Sequence, residues 1–151
     1  MQKITSIGDA VALVGQELGV SGWKEINQQR INAFADVTED RQWIHIDVER
    51  AKAESQYGST IAHGYLTLSL IPSMSKDNYR ITGKMTINYG LNKVRFLGAV
   101  MPGSRIRVRS ELLDTEKFSE DTANLYLRHT VEVDGHAKPA AVVETITRCI
   151  F

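Results

Sequence analysis

Apolar positions change their spacing near residue 80. Before that point they recur mostly at helical intervals; after it, apolar and polar residues alternate. Helices followed by a run of strands predict an α+β fold with an antiparallel sheet. Asn27 to Thr38 reads as a helix, with Asn27 as N-cap and Ile31, Phe34 and Ala35 as its apolar stripe. Asp47 is positioned to cap a short helix through Ala53, and Glu39 to His45 reads as a polar loop between the two. Thr60 to Ser75 carries Ile61, Tyr65 and Leu68 on one side and Leu66, Leu70 and Met74 on another. A helix apolar on most sides is expected to be buried on most sides, with Pro72 kinking or ending it. Strands are predicted over 83–89, 91–96, 104–116, 122–133 and 138–148, with a tight turn at Asp134-Gly135. A twisted antiparallel sheet wrapped around one buried helix satisfies both periodicities.

Composition narrows this little but excludes much. The chain has 151 residues, which suits a single domain over 1–151 with a full core. Lys and Arg total 18, as do Asp and Glu, so no global charge drives the chain toward nucleic acid or an anionic membrane. The single cysteine, Cys149, excludes an internal disulfide and a cysteine-cluster metal site, and it fits a reducing compartment. No leader pattern and no apolar run near the ~20 residues of a membrane helix is seen, so the expectation is a soluble, cytoplasmic protein.

Candidate chemistry concentrates in two places. Asp40 and His45 stand five apart on the polar loop, and a carboxylate beside an imidazole can hold a water and move its proton near neutral pH. His63-Gly64 opens the apolar helix. Its leading N–H groups, backed by the helix dipole, suit a developing oxyanion, and Gly64 would admit a carbonyl close to the backbone. The competing reading is a helix packed tightly at a glycine, with His63 as a core or capping residue. Arg105, Arg107 and Arg109, with Lys93 and Arg95, are either phosphate contacts or a solvated strand face. His129, His136 and Cys149 carry no motif and read as structural. No ligand spacing indicates a metal, and no G-x-G-x-x-G stretch indicates a nucleotide cofactor, so neither is expected.

Phe34-Ala-Asp-Val-Thr-Glu-Asp40-Arg-Gln-Trp-Ile-His45 followed by Ile61-Ala-His-Gly64-Tyr-Leu resembles the MaoC-like (R)-specific enoyl-CoA hydratases, most closely the nodulation-protein-N-like branch. The likeness continues through Ile87–Phe96 and Val100–Ile106 and so covers nearly the whole chain. It implies a hotdog fold, an acyl-CoA thioester substrate and a homodimer paired through its sheets. It also implies that Asp40 and His45 grip the catalytic water and that the Gly64 N–H holds the thioester carbonyl. The commoner family loop reads Asp-x-Asn-Pro-aliphatic-His, where this chain has Gln42-Trp43. Gln42 can supply the amide contacts with a longer reach, whereas Trp43 lacks proline's fixed φ. His63 joins Gly64 and Gln42 in the expected substrate-binding set. The implied reaction is hydration of trans-2-enoyl-CoA to the (3R)-3-hydroxyacyl thioester, or its reverse. The alternatives are a hotdog acyl-CoA thioesterase and a non-catalytic acyl-CoA-binding or interaction protein.

Overall fold

The sheet is built by the alternating second half of the chain. In the computed structural model, which describes residues 1–151, strands β5 (Met85–Phe96), β6 (Ser104–Lys117), β7 (Thr122–Val133) and β8 (Ala141–Ile150) pair antiparallel. With the short β2 (Glu17–Val20) they run in the order β2-β6-β7-β8-β5, and β3 (Lys24–Ile26) also pairs with β6. The two strands expected over 83–96 form one, with Gly90 absorbing a register shift after Asn88. The first 26 residues, expected to be mostly helical, instead carry three short strands, including β1 (Gln2–Ile4), which pairs parallel with β4 (Tyr79–Ile81). At three or four residues each, they are too short for alternation to declare itself.

Period-two burial sorts the two sheet faces. On β6, Ile106, Val108, Ser110 and Leu112 are buried while the arginines between them face out. Arg105 pairs with Asp134, Arg107 with Glu132, and Arg109 with both Glu132 and Glu17. The three arginines are thus committed to carboxylates of their own chain on the outer face, and the solvated-face reading holds for them.

Helix α5 (Gly64–Met74) lies against the inner face, burying Leu66, Thr67, Ile71 and Met74. It begins four residues later than the expected Thr60 and runs through Pro72. Its burial is one-sided, contrary to the expectation of burial on most sides: Tyr65 is 68% exposed. The sheet covers the stripe facing it; Leu68 and Leu70 pack only partly against the core, and Tyr65 meets the Phe96 ring edge-on while staying exposed. Helices α1 (Ile7–Ala12), α2 (Gln28–Thr38), α3 (Trp43–Ile46) and α4 (Val48–Glu54) complete the fold. No helix is long and apolar enough to cross a membrane.

The core divides in two. One cluster joins Ile31, Leu66, Ile71 and Met74 to Val108, Val131 and Val143; the other joins Ile4, Ala10 and Leu18 to Leu112, Leu127 and Cys149. Each fully buried aliphatic of this size contributes roughly 1.5–3 kcal/mol over an exposed one. Between the clusters, the inward positions of the three central strands turn polar. Ser110 lies between Val108 and Leu112, His129 between Leu127 and Val131, and Thr145 and Thr147 between Val143 and Cys149.

Candidate active site

The site forms where α2 ends, α3 turns and α5 begins. Helix α2 starts as expected at Asn27, whose side chain accepts from the Arg30 N–H. It stops at Glu39, which takes a left-handed conformation at φ 62°. That reversal sends Asp40 out of the helix with its carbonyl turned toward the start of α5, where His63 Nε2 donates to it at 2.9 Å. A backbone carbonyl only accepts, so His63 carries its proton on Nε2. Its Nδ1 is buried without a partner beside the Phe34 ring, whose centroid is 5.0 Å away.

His45 does not lie on an exposed loop, as the sequence suggested. It sits within the single turn of α3 and is 8% exposed. The Ile46–Ile44 turn packs inward because Ile61 and His63 supply a wall for it: the Ile61 N–H donates to the Ile44 carbonyl, and His45 Nδ1 donates to the Ile61 carbonyl at 2.7 Å. The free nitrogen of His45 is therefore Nε2. The His45 and His63 rings stack with centroids 3.7 Å apart and planes 24° from parallel.

Asp40, His45 and His63 each bring a ligand-type atom within 4.8 Å of the others. The Asp40 side chain is 53% exposed and its Oδ2 stands 4.0 Å from His63 Nε2. Stacked imidazoles direct their in-plane lone pairs side by side rather than at one point, and one nitrogen of each ring already donates to a carbonyl. This arrangement suits a water bridged between carboxylate and imidazole better than a tetrahedral cation.

Gly64 is the first residue of α5, and neither its N–H nor that of Tyr65 has a partner within the chain. These are unpaired donors at the positive end of an 11-residue helix. A Cβ on Gly64 would meet the Phe96 ring at 2.9 Å, so the glycine also makes room for β5. Both readings of Gly64 therefore find support: tight packing at its α-carbon and an open donor at its nitrogen. His63, at 2% exposure, offers almost no surface to a ligand and instead ties the Asp40 backbone to α5. Gln42 is exposed and makes no capping bond at the start of α3, so its amide is free. Trp43, next to it, stacks under the Arg50 guanidinium at 4.4 Å.

Gln28 and Thr60 were not singled out in the sequence. Gln28 Nε2 donates to the His45 carbonyl at 2.7 Å, and its Oε1 accepts from the buried Thr60 hydroxyl. One side chain thus pins α2, α3 and the lead-in to α5 together. A glutamine at the first position of a helix carries no sequence signal for this, since such residues are usually solvated.

Comparison with known proteins identifies the family of the chain. The family model for the MaoC like domain matches residues 9–133. The chain is 46% identical over 151 residues to 3-hydroxyacyl-thioester dehydratase Z of Mycobacterium tuberculosis, covering 99% of each chain. It is 43% identical to Nodulation protein N of Rhizobium meliloti, covering 97% of this chain and 92% of that one. Among solved structures, a monoamine oxidase regulatory protein from Archaeoglobus fulgius shares the fold with a TM-score of 0.84 at 22% identity, over 99% of this chain and 96% of that chain. An R-hydratase from Pseudomonas aeruginosa aligns with a TM-score of 0.69 at 26% identity, over 91% and 81%. The expected hotdog fold is thereby shown, and the chain belongs to the MaoC-like dehydratase family.

Proposed function

We propose that this chain adds water to trans-2-enoyl-CoA thioesters to give (3R)-3-hydroxyacyl thioesters, and catalyses the reverse dehydration. The observation that carries the reading is the convergence of an exposed carboxylate, a buried imidazole with a free Nε2, and unpaired helix-start N–H groups. Conjugation with the thioester makes Cβ electrophilic. The water attacks Cβ, and charge accumulates on the carbonyl oxygen as an enolate. The Gly64 N–H donates to that oxygen; such a donor typically lowers the barrier by ~3–4 kcal/mol. Asp40 removes the water's proton while His45 Nε2 orients the water, and one of the pair returns a proton to Cα. His63 and Gln28 hold the pair in place, and Gln42 lies at the rim as a free amide for the thioester arm. A water fixed on one face of a pinned alkene gives one enantiomer. No step calls for a metal or redox cofactor.

The working unit in this reading is a homodimer. β5 pairs only with β8, and its Met85, Ile87, Tyr89, Leu91 and Phe96 are all exposed large apolar residues. An unpaired apolar edge strand is a template for a second copy. The reduced, buried Cys149 fits a cytoplasmic setting.

The test supplies crotonyl-CoA and longer enoyl-CoAs with EDTA present and follows enoyl absorbance. The product is then coupled to R-specific and S-specific 3-hydroxyacyl-CoA dehydrogenases. Hydration seen by the R-specific enzyme alone is expected. Release of free CoA without hydration would replace this reading with a thioesterase.

A further inference from the structure

A groove of about 970 Å³ lies between α5, from Leu68 to the following turn at Lys76, and the inner sides of β5 and β8. At ~1.5 Å rise per residue it extends from roughly 6 to 18 Å beyond Gly64 along the helix. Its lining on α5 begins at Leu68, one helical turn past Gly64. A plain hydrocarbon tail would be best served by apolar walls, yet only 8 of the 19 lining residues are hydrophobic. The polar belt between the two core clusters opens here, through His129, Thr145 and Thr147.

The hydrogens of that belt have a single consistent direction. Asn78 is buried, and its Nδ2 donates to the Val108 carbonyl at 2.9 Å and to Ser110 Oγ at 2.8 Å. The carbonyl can only accept, which fixes the amide orientation and commits both amide protons. Ser110 is completely buried, and His129 Nδ1, 3.0 Å away, is the acceptor within its reach, so Ser110 gives its own proton there rather than leave it unpaired. Burial holds His129 neutral, its pKa pushed down to about 4. A neutral ring accepting at Nδ1 carries its proton on Nε2, which faces Thr145 Oγ1 at 3.3 Å. Thr145 accepts there and is left with a hydroxyl proton that has no acceptor in the chain. That proton stands at the wall of the groove.

We propose that the groove takes an acyl chain bearing an oxygen, as a keto or hydroxyl group, and that Thr145 donates a hydrogen bond to it. The assignment rests on the dehydratase reading only for the direction from which the chain enters. His129, Ser110 and Asn78 act as positioning residues that aim the donor.

Binding decides the matter independently of turnover. Calorimetry compares saturated medium-chain acyl-CoAs, one series plain and one with a single keto group moved along the chain. The best keto isomer is expected to bind about tenfold tighter than its plain counterpart. Thr145→Val should erase that ratio while leaving the plain chain's affinity unchanged or raised, and Thr145→Ser should keep it. Ser110→Ala frees the His129 tautomer and should weaken the preference without touching the groove wall. The proposal is overturned if no keto position gains over the plain chain, if the gain survives Thr145→Val, or if no acyl-CoA binds. Hydration of crotonyl-CoA is measured alongside. A keto preference without hydration would sink the dehydratase reading and leave the groove assignment standing.

Discussion

Gly64 combines a packing role with the donor role proposed for it. Its missing side chain accommodates the Phe96 ring, and its N–H has no partner within the chain, which is what the proposed donor role requires. Phe96 is half exposed and pairs edge-on with Tyr65, so the ring can swing away if pushed. Gly64→Ala is therefore expected to lower kcat/KM by about tenfold or more while costing under ~1 kcal/mol in denaturant unfolding. Equal kinetics would leave Gly64 with a packing role alone. Asp40→Asn and His45→Gln should each remove ~10²–10⁴-fold of turnover, and the double variant should lose little more, because the proposed mechanism has both act on one water. Circular dichroism should show both folds intact, with His45→Gln the less stable because it disturbs a buried bond to Ile61. His129 supplies a pH signature. Its folded-state pKa of about 4 lies below the ordinary 6.5, so the unfolded chain binds the extra proton between those values. Stability then falls as pH drops from 6.5 toward 4, by on the order of 3 kcal/mol. Urea midpoints across that range should slope downward with acid in the wild type, and more gently in His129→Gln.

At the scale of elements, the site depends on how α2 ends. Glu39 at φ 62° is the only non-glycine residue with positive φ, and it directly precedes Asp40. A left-handed L-residue costs roughly 1–2 kcal/mol that glycine avoids. Glu39→Gly is expected to leave stability unchanged or raise it by up to ~1 kcal/mol, with Asp40 still delivered to His63. Glu39→Val should destabilise by more than ~1 kcal/mol and lower kcat together with Tm, since a β-branched residue resists that conformation. The junction is further clamped by Gln28, which bonds α3 through His45 and the lead-in to α5 through Thr60. Gln28→Leu leaves a buried carbonyl and hydroxyl unpaired. A loss of ~1–3 kcal/mol follows, with kcat falling more than KM changes. Unchanged kcat would remove Gln28 from the positioning role.

For the whole molecule, the unfinished surfaces lie together. α5 exposes Tyr65, and β5 exposes apolar residues along an edge with no neighbour. A second copy pairing along β5 would cover both, which is why the homodimer is the unit proposed for activity. Ile87→Lys with Tyr89→Lys places charge on that edge and should shift light-scattering mass from dimer to monomer, with loss of turnover at low protein concentration. A wild type that scatters as a monomer while fully active would end the dimer proposal.

The sequence by itself determined the order of the longer helices and strands and the two chemical motifs. Long alternating strands announce their faces, and Asn27 and Asp47 announce helix starts through a cap each side chain makes locally. Asp40, His45 and Gly64 were legible because the family likeness attaches roles to short, contiguous patterns. Tertiary structure alone decided what depends on residues far apart in the chain. The burial of His45 needs the wall supplied by Ile61 and His63. The clamp at Gln28 needs Thr60, thirty-two residues away. The space at Gly64 is set by Phe96, and the polar belt needs Asn78, Ser110, His129 and Thr145 from separate elements. Periodicity reports which way a side chain faces and not what stands opposite, so these partners had no sequence signal. The same limit hid the one-sided burial of α5: its apolar residues state that both sides want cover, and only the packed chain shows that the sheet supplies one.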